Sequence, residues 1–176
     1  MTMFDAVIDG VDKSLRVMLV VMMAVLVIDV SWQILTRFIL PKPSLFTEEV
    51  ARFLLIWISL IGSVYAYRLH SHLGFDLIVR KVSAARAKFL FRVSCLLVII
   101  FAVSILMVGG GNLVYLTWIL EQSSPVLNVP MALIYVVIPF SGGLFVIYSV
   151  YFWIHADEAI HAREQANTVV EEGEKA

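Results

Sequence analysis

Uncharged hydrophobic runs divide the chain into four long segments. They cover residues 17–28, 53–67, 93–120 and 122–154, and the first continues past Asp29 to residue 36. A helix needs about 20 mostly apolar residues to cross the hydrocarbon core of a membrane. The second run reaches that length if its neighbours join it and Arg52 and Arg68 extend their charges toward the two interfaces. The pattern predicts an all-α integral membrane protein with four transmembrane helices.

Helix-breaking and capping residues set the expected limits of these helices, which are 16–39, 48–69, 91–120 and 131–155. Pro41 and Pro43 should end the first helix, and Ser44 or Thr47 should cap the second. Apolar positions recur at helical spacing in residues 4–16. That segment either lies along the membrane surface or extends the first helix.

The fourth helix carries Pro139 and the pair Gly142-Gly143 near its middle. Proline removes a backbone donor and glycine lets another helix approach, so a kink or a close helix contact is expected there. Acidic residues dominate after the fourth run. We therefore expect one membrane domain over residues 1–167 and a disordered acidic tail over 168–176.

Composition supports the membrane assignment. Hydrophobic residues make up 61% of the chain and charged residues 15%, whereas soluble domains carry about 25% charged residues. The single cysteine, Cys95, lies inside an apolar run and has no partner for an intrachain disulfide. We expect it to be an ordinary buried side chain.

Basic residues are distributed unequally between the two membrane sides. Four helices place the N-terminus, the second connection and the C-terminus on one side, which carries ten of the thirteen Lys and Arg residues. The other side carries the remaining three, Arg37, Lys42 and Arg52. Cytoplasmic loops are enriched in Lys and Arg, so both termini are expected in the cytoplasm, with the first helix as an uncleaved anchor.

The second connection, residues 69–92, carries five of these ten basic residues. Membrane lipids with anionic headgroups are the expected partner, because each Lys or Arg near such a surface contributes about 1 kcal/mol of binding. Apolar residues interleave with the charges, which argues against nucleic acid.

Histidine is the first candidate for chemistry, because paired intramembrane histidines can hold haem. The four histidines His70, His72, His155 and His161 all fall at or beyond helix ends rather than at depth. A surface metal site at His70, His72 and His155 is the alternative to solvated side chains. No nucleophile, phosphate-loop or zinc-hydrolase motif occurs. We expect no enzyme, no cofactor and no metal site.

Asp29 is the one clear carboxylate at membrane depth. A charge there is costly and therefore points to function. An ion or proton ligand is one reading, but a single carboxylate makes a poor cation cage. A polar contact to another helix or subunit, with Asn112 as a candidate, is the preferred interpretation.

The second helix carries two candidate interaction features. Small residues lie on one face at a spacing that allows close helix packing, namely Ser59, Gly62, Ser63 and Ala66. At its outer end Arg52 follows Glu48 and Glu49 by four and three residues, which predicts an intrahelical ion pair. These charges are also candidates for contact with a partner at the outer surface.

Several short motifs occur together in a characteristic order. The first group comprises Gln33-x-x-x-Arg37-Phe38, Thr47-Glu48-Glu49-x-x-Arg52, Trp57, Gly62, Arg68 and His72-x-x-x-Asp76. The second comprises Ser124-Pro125-Val126-Leu127-Asn128-Val129-Pro130-Met131, Tyr135, Pro139 and Gly142-Gly143. Their order within four spans resembles the small membrane subunit of tripartite ATP-independent periplasmic (TRAP) transporters. Phe46 departs from the tryptophan often found before the glutamate pair, and it preserves an aromatic side chain.

The resemblance implies a role that spacing alone does not show. Such subunits pair with a large membrane subunit that carries the substrate and sodium sites, and a soluble periplasmic protein delivers the substrate. Sodium-driven uptake covers organic acids such as dicarboxylates, keto acids and sialic acid, of which sialic acid is our preferred expectation. The small subunit would be a scaffold for the static part of an elevator-type symporter in the bacterial inner membrane.

Two other functions compete with this one. A self-contained channel or carrier would rest on Asp29, but internal repeats and facing broken helices are not evident. A membrane anchor of a redox complex would require histidines at depth.

Overall fold

Four long helices make up the computed structural model, which describes residues 3–39, 45–79 and 84–154. Each contains a segment long and apolar enough to cross a membrane, and these segments are Ile8–Ile39, Leu45–Leu69, Phe89–Ile119 and Met131–Ile154. No β-strand occurs in these three ranges. The predicted all-α fold with four membrane-spanning helices is confirmed.

The first helix, α1 (Met3–Ile39), is continuous. The segment 4–16 therefore extends the helix, which begins well before the predicted limit at residue 16. The side chains of Ile8 and Leu15 are buried, and Met18 and Met22 continue the same helical face. This face packs mainly against the second helix. Because the apolar residues of this face keep the 3.6-residue helical period on both sides of residue 16, the helix continues there without a break.

The second helix, α2 (Leu45–Val79), runs ten residues beyond its predicted end at residue 69. The hydrophobic run stops near Leu69, but no proline follows and only Gly74 weakens the helix. The end of a hydrophobic run indicates where a helix leaves the hydrocarbon core of the membrane. The helix itself ends only where its backbone hydrogen bonds end. Residues 69–79 of the expected connection over residues 69–92 therefore belong to α2.

The third span begins at residue 84 rather than 91 and changes its winding on the way. It consists of α3 (Ala84–Phe101), a π-helical segment (Ala102–Gly109) and α4 (Gly110–Ile119). A π-helix bonds residues five apart and is wider than an α-helix; it occurs mostly as short insertions. No signal in the hydrophobic pattern predicted it.

The fourth span consists of α5 (Met131–Tyr135) and α6 (Val137–Ile154), separated by Val136. The break lies three residues before Pro139, whose ring removes one backbone donor from the helix. The break is therefore closer to the start of the fourth span than the expected kink. α6 contacts α2, α3, α4 and the π-helical segment and lies at the centre of the bundle.

Residues 120–130 connect the third and fourth spans; we call them the outer turn, and this end of the bundle the outer end, after the side of the membrane on which they are expected. Met131 N donates to the carbonyl of Gln122 (2.8 Å), and Ser124 N donates to the carbonyl of Val129 (3.0 Å). Asn128 takes a positive φ of 57°, which asparagine tolerates better than most residues. The turn is thus closed by its own backbone. The acidic tail predicted at 168–176 lies outside the described residues.

Candidate functional site

The two glutamates at the outer end of α2 have different surroundings. Glu48 Oε1 lies 3.3 Å from Arg52 Nη2, and the two side chains are 56% and 65% exposed. Glu49 is 6% exposed, and its Oε2 accepts hydrogen bonds from the backbone N–H groups of Val126 (3.1 Å) and Leu127 (2.8 Å). The expected intrahelical pair therefore forms with Glu48 alone.

Glu49 brings together two motifs that are distant in sequence. The carboxylate belongs to the motif of α2, and the amides belong to the Ser124–Met131 motif of the outer turn, 77 and 78 residues later. Hydrogen bonds to an ionised group are stronger than neutral ones. The buried side chains of Thr47 and Ser124 belong to the same two motifs. Glu49 thus holds the outer turn against α2, a role that the sequence did not reveal.

Trp57 makes a second link between α2 and the fourth span. Its indole Nε1 donates to the carbonyl oxygen of Ile134 at 3.1 Å. Ile134 lies in the short helix α5, just before the break at Val136. Backbone carbonyls near a helix break need partners in a membrane, because no bulk water is available there. Trp57 supplies one.

The small-residue face of α2 is only partly covered. Ser59 and Ser63 are exposed, and their hydroxyls donate to carbonyls of their own helix. Gly62 and Ala66 are half-buried, and a Cβ added to Gly62 would lie 3.9 Å from Leu19 Cδ2. That distance is ordinary van der Waals contact. α1 therefore covers one side of this face without a close backbone approach.

Close approach occurs instead between the third and fourth spans. A Cβ added to Gly110 would lie 2.6 Å from Cγ2 of Ile138, and one added to Gly142 would lie 2.8 Å from Cβ of Leu106. Side chains larger than hydrogen do not fit at these two positions without a shift. The close contact expected at Gly142 is present, whereas its neighbour Gly143 has nothing within 4 Å.

A polar cluster joins three helices at the opposite end of the bundle. Arg68 Nε donates to Asp12 Oδ2 (3.0 Å), and the Tyr148 hydroxyl donates to Asp12 Oδ1 (2.5 Å). The Arg68 guanidinium also lies 5.0 Å from the ring centre of Tyr151. We call Asp12, Arg68 and Tyr148 the Asp12 cluster.

Sequence reasoning selected Arg68 but missed Asp12 and Tyr148. Asp12 falls within segment 4–16, where no functional residue was expected. With α1 treated as continuous, Asp12 would have been expected at a membrane depth similar to that of Arg68. Asp12 lies shortly before the first hydrophobic run, and Arg68 directly follows the second. The motif residues His72 and Asp76 lie within α2, one helical turn apart, and their side chains lie outside the described part of the structure.

The structure does not bring Asp29 and Asn112 together. Asp29 Oδ2 is buried and has no hydrogen-bond partner among the described residues, and Asn112 is exposed on α4. α1 packs mainly against α2 rather than α4. A hydrogen-bond partner for Asp29 Oδ2 would come from outside the described residues.

No group of three metal-ligating side chains occurs in residues 3–39, 45–79 and 84–154. The thiol of Cys95 is free and buried.

Comparison with known proteins identifies the family. Residues 17–158 match the family described as "Tripartite ATP-independent periplasmic transporters, DctQ component". A sialic acid TRAP transporter small permease protein of Vibrio cholerae is 36% identical over 72 residues, 41% of this chain and 40% of that protein. A C4-dicarboxylate TRAP transporter small permease protein of Rhodobacter capsulatus is 27% identical over 97 residues, 55% of this chain and 42% of that protein.

These matches span less than half the length of the two relatives. The match to the family, in contrast, extends over most of the first span, all of the other three and the outer turn. It includes the Glu49 motif, the outer-turn motif and Gly142, and it confirms the resemblance read from the sequence. The chain belongs to the DctQ component family of the tripartite ATP-independent periplasmic transporters.

Proposed function

We propose that this chain is a scaffold subunit that supports a larger membrane subunit in sodium-coupled, elevator-type uptake of organic acids. The observation that carries the proposal is the hydrogen-bonded outer end of the bundle. Glu49 holds the outer turn in place, while the neighbouring Glu48 and Arg52 stay exposed. A fixed surface with exposed charges suits docking of a soluble binding protein, because complementary charges steer and orient association.

The contacts within the bundle support a static role. The close contacts of Gly110 with Ile138 and of Gly142 with Leu106 pack the third and fourth spans tightly against each other. The Asp12 cluster joins three helices at the opposite end. The moving part and the substrate site would then belong to the larger subunit.

The sidedness and the substrate are part of the proposal. The ten-to-three distribution of basic residues supports cytoplasmic termini in a bacterial inner membrane, with the outer turn facing the periplasm. The relative from Vibrio cholerae is named for sialic acid and the one from Rhodobacter capsulatus for C4-dicarboxylates. The higher identity supports sialic acid as the first substrate to test.

Co-purification tests the subunit assignment. The chain is extracted from native membranes in mild detergent, and every protein recovered with it is identified. We expect a stoichiometric, many-helix membrane protein. Recovery of the chain alone, stable and monodisperse, would refute the scaffold role and favour a self-contained carrier.

Charge reversal tests docking at the outer surface. We expect Glu48→Arg and Arg52→Glu each to reduce uptake while the amount of chain in the membrane stays unchanged. The double variant Glu48→Arg/Arg52→Glu restores the intrahelical pair with its charges exchanged. It should remain impaired if the charges contact a partner. Full recovery in the double variant, or normal uptake in both single variants, would contradict the docking role.

A further inference from the structure

A polar cavity lies between α1 and α2 on the membrane side that holds the N-terminus. Its volume is about 480 Å³, and it is lined by Asp9, Asp12, Lys13, Arg16, Tyr65, Arg68 and Leu69. Asp12 and Arg68 are already engaged with each other. The remaining charged groups are those of Asp9, Lys13 and Arg16, so the lining carries a formal net charge of +1.

Lys13 and Arg16, the two cations of α1 that line the cavity, are available to bind an anion. Lys13 and Arg16 are exposed, and neither forms an ion pair within the described residues. Asp9 precedes Lys13 by four residues, a spacing suited to a helical ion pair, yet no such pair forms. Lys13 and Arg16 are three residues apart and therefore share one helix face.

An apolar groove continues from this cavity along α1. It has a volume of about 530 Å³ and is lined by Lys13, Ser14, Val17, Met18, Val21 and Met22. Lys13 lines both spaces. From Lys13 to Met22 the helix rises about 14 Å, which is nearly half of the hydrocarbon core. The groove thus leads from the charged cavity into the depth of the membrane.

We propose that this cleft binds one anionic phospholipid. Its phosphate would lie between Lys13 and Arg16, and one acyl chain would occupy the groove beside Val17 and Val21. The positive charge suits a headgroup that carries net negative charge, and the adjoining groove suits an acyl chain. Methionine side chains adapt readily to irregular apolar shapes, which fits Met18 and Met22. The proposal does not depend on the transport role.

Native mass spectrometry of the purified full chain tests headgroup selectivity. Phosphatidylglycerol and phosphatidylcholine with identical acyl chains are added in separate titrations. We expect one retained phosphatidylglycerol, with a preference over phosphatidylcholine of about tenfold or more. Equal binding of the two lipids would overturn the assignment of an anionic lipid.

Paired variants test the two halves of the cleft. Lys13→Gln/Arg16→Gln should abolish the preference, whereas Arg37→Gln/Arg86→Gln, which removes two exposed charges elsewhere, should preserve it. Val21→Trp should block the groove and weaken phosphatidylglycerol binding. Val20→Trp, at a neighbouring exposed position that lines neither space, should not. Wild-type binding by the double variant or by Val21→Trp would place the lipid elsewhere and overturn the proposal.

Competition separates a lipid from a free anion. Glycerol 3-phosphate carries the phosphate without the acyl chains, and it should not displace the bound phospholipid at equal concentration. Displacement would assign the cavity to small anions and refute a lipid site. Thermal unfolding in detergent verifies that each variant is folded. Because lipid retention is measured rather than uptake or co-purification, its loss is distinguishable from failure of the scaffold role.

Discussion

Carboxylates that are close in sequence have very different environments in this protein. Asp12 accepts hydrogen bonds from Arg68 and Tyr148, whereas Asp9, almost one turn earlier, is exposed. Glu49 is buried under the outer turn, whereas the adjacent Glu48 is exposed. In each pair one carboxylate bonds to another part of the bundle and the other is exposed. Substitution of the exposed carboxylate is therefore a control for substitution of the other member of the pair.

Removing Asp12 should destabilise the bundle. Asp12→Ala removes the carboxylate that accepts hydrogen bonds from the Arg68 guanidinium and the Tyr148 hydroxyl. We expect a loss of about 1–3 kcal/mol in the free energy of unfolding, toward the low end because both charged side chains retain some exposure. Denaturant titration of the chain in detergent micelles measures this value. Asp9→Ala is the matched control and should change stability by less than about 0.5 kcal/mol. Equal effects of the two substitutions would contradict the structural role of Asp12.

Glu49 should control the opening of the outer turn. Glu49→Gln keeps the shape of the side chain but replaces the ionised acceptor of the Val126 and Leu127 amides. We expect hydrogen exchange at these two amides to accelerate about tenfold or more, because their protection requires the closed turn. Glu48→Gln should leave their exchange unchanged, since Glu48 bonds only to Arg52 among the described residues. Unaltered exchange in Glu49→Gln would show that the turn's own backbone bonds suffice.

At the scale of helices, the third and fourth spans show how irregular winding accompanies close packing. The π-helical segment contains Ala102, Leu106 and Met107, whose atoms lie closest to the position of a Cβ on Gly142. Gly110 follows directly after that segment and lies against Ile138 and Pro139, next to the break in the fourth span. The departures from α-helical geometry thus coincide with the contacts between these two spans.

Neighbouring glycines should respond oppositely to alanine. In Gly142→Ala the new Cβ would lie 2.8 Å from Leu106 Cβ and 3.2 Å from the Ala102 carbonyl oxygen. We expect a destabilisation of about 1–3 kcal/mol from overpacking. Gly143→Ala meets nothing within 4 Å and should be neutral or stabilising by up to about 1 kcal/mol, because alanine favours the helix. Unfolding titrations of both variants in the same detergent measure the difference. A smaller loss for Gly142→Ala than for Gly143→Ala would contradict the packing described.

At the scale of the molecule, the bundle exposes much of its apolar surface. No residue is buried in the most hydrophobic stretch of α1. In the corresponding stretch of the fourth span, 39% of the residues are buried. Lipid or another membrane subunit must cover this surface, because apolar area of this extent is not stable in water. α1 therefore lies at the edge of the bundle and the fourth span at its centre.

Accessibility labelling should establish the sidedness of the bundle. Glu121→Cys in the outer turn should react with a membrane-impermeant maleimide in spheroplasts, in which the inner membrane is intact. Arg86→Cys, near the start of α3, should react only after that membrane is permeabilised. Both positions are exposed. The parent chain reports the background, because its Cys95 is only 2% exposed. The opposite labelling pattern would invert the proposed orientation.

The four spans and the family could be predicted from local sequence patterns. Transfer of a helix into hydrocarbon depends on the length and polarity of a local run, so residues far away cannot change it. The ordered motifs around Glu49 and Pro130 are local as well. Helix ends were less predictable, since α2 continues past Leu69 for as long as its backbone bonds hold.

The contacts between polar residues and between small residues, in contrast, became visible only in the packed bundle. The Asp12 cluster joins residues 56 and 136 positions apart, and Glu49 reaches amides 77 and 78 positions away. Such contacts depend on the rotation and register of whole helices, which a one-dimensional pattern does not specify. The same holds for Gly110 and Gly142, whose neighbours Gly111 and Gly143 share their local sequence but face open space. What a side chain does here follows from the helix that packs against it.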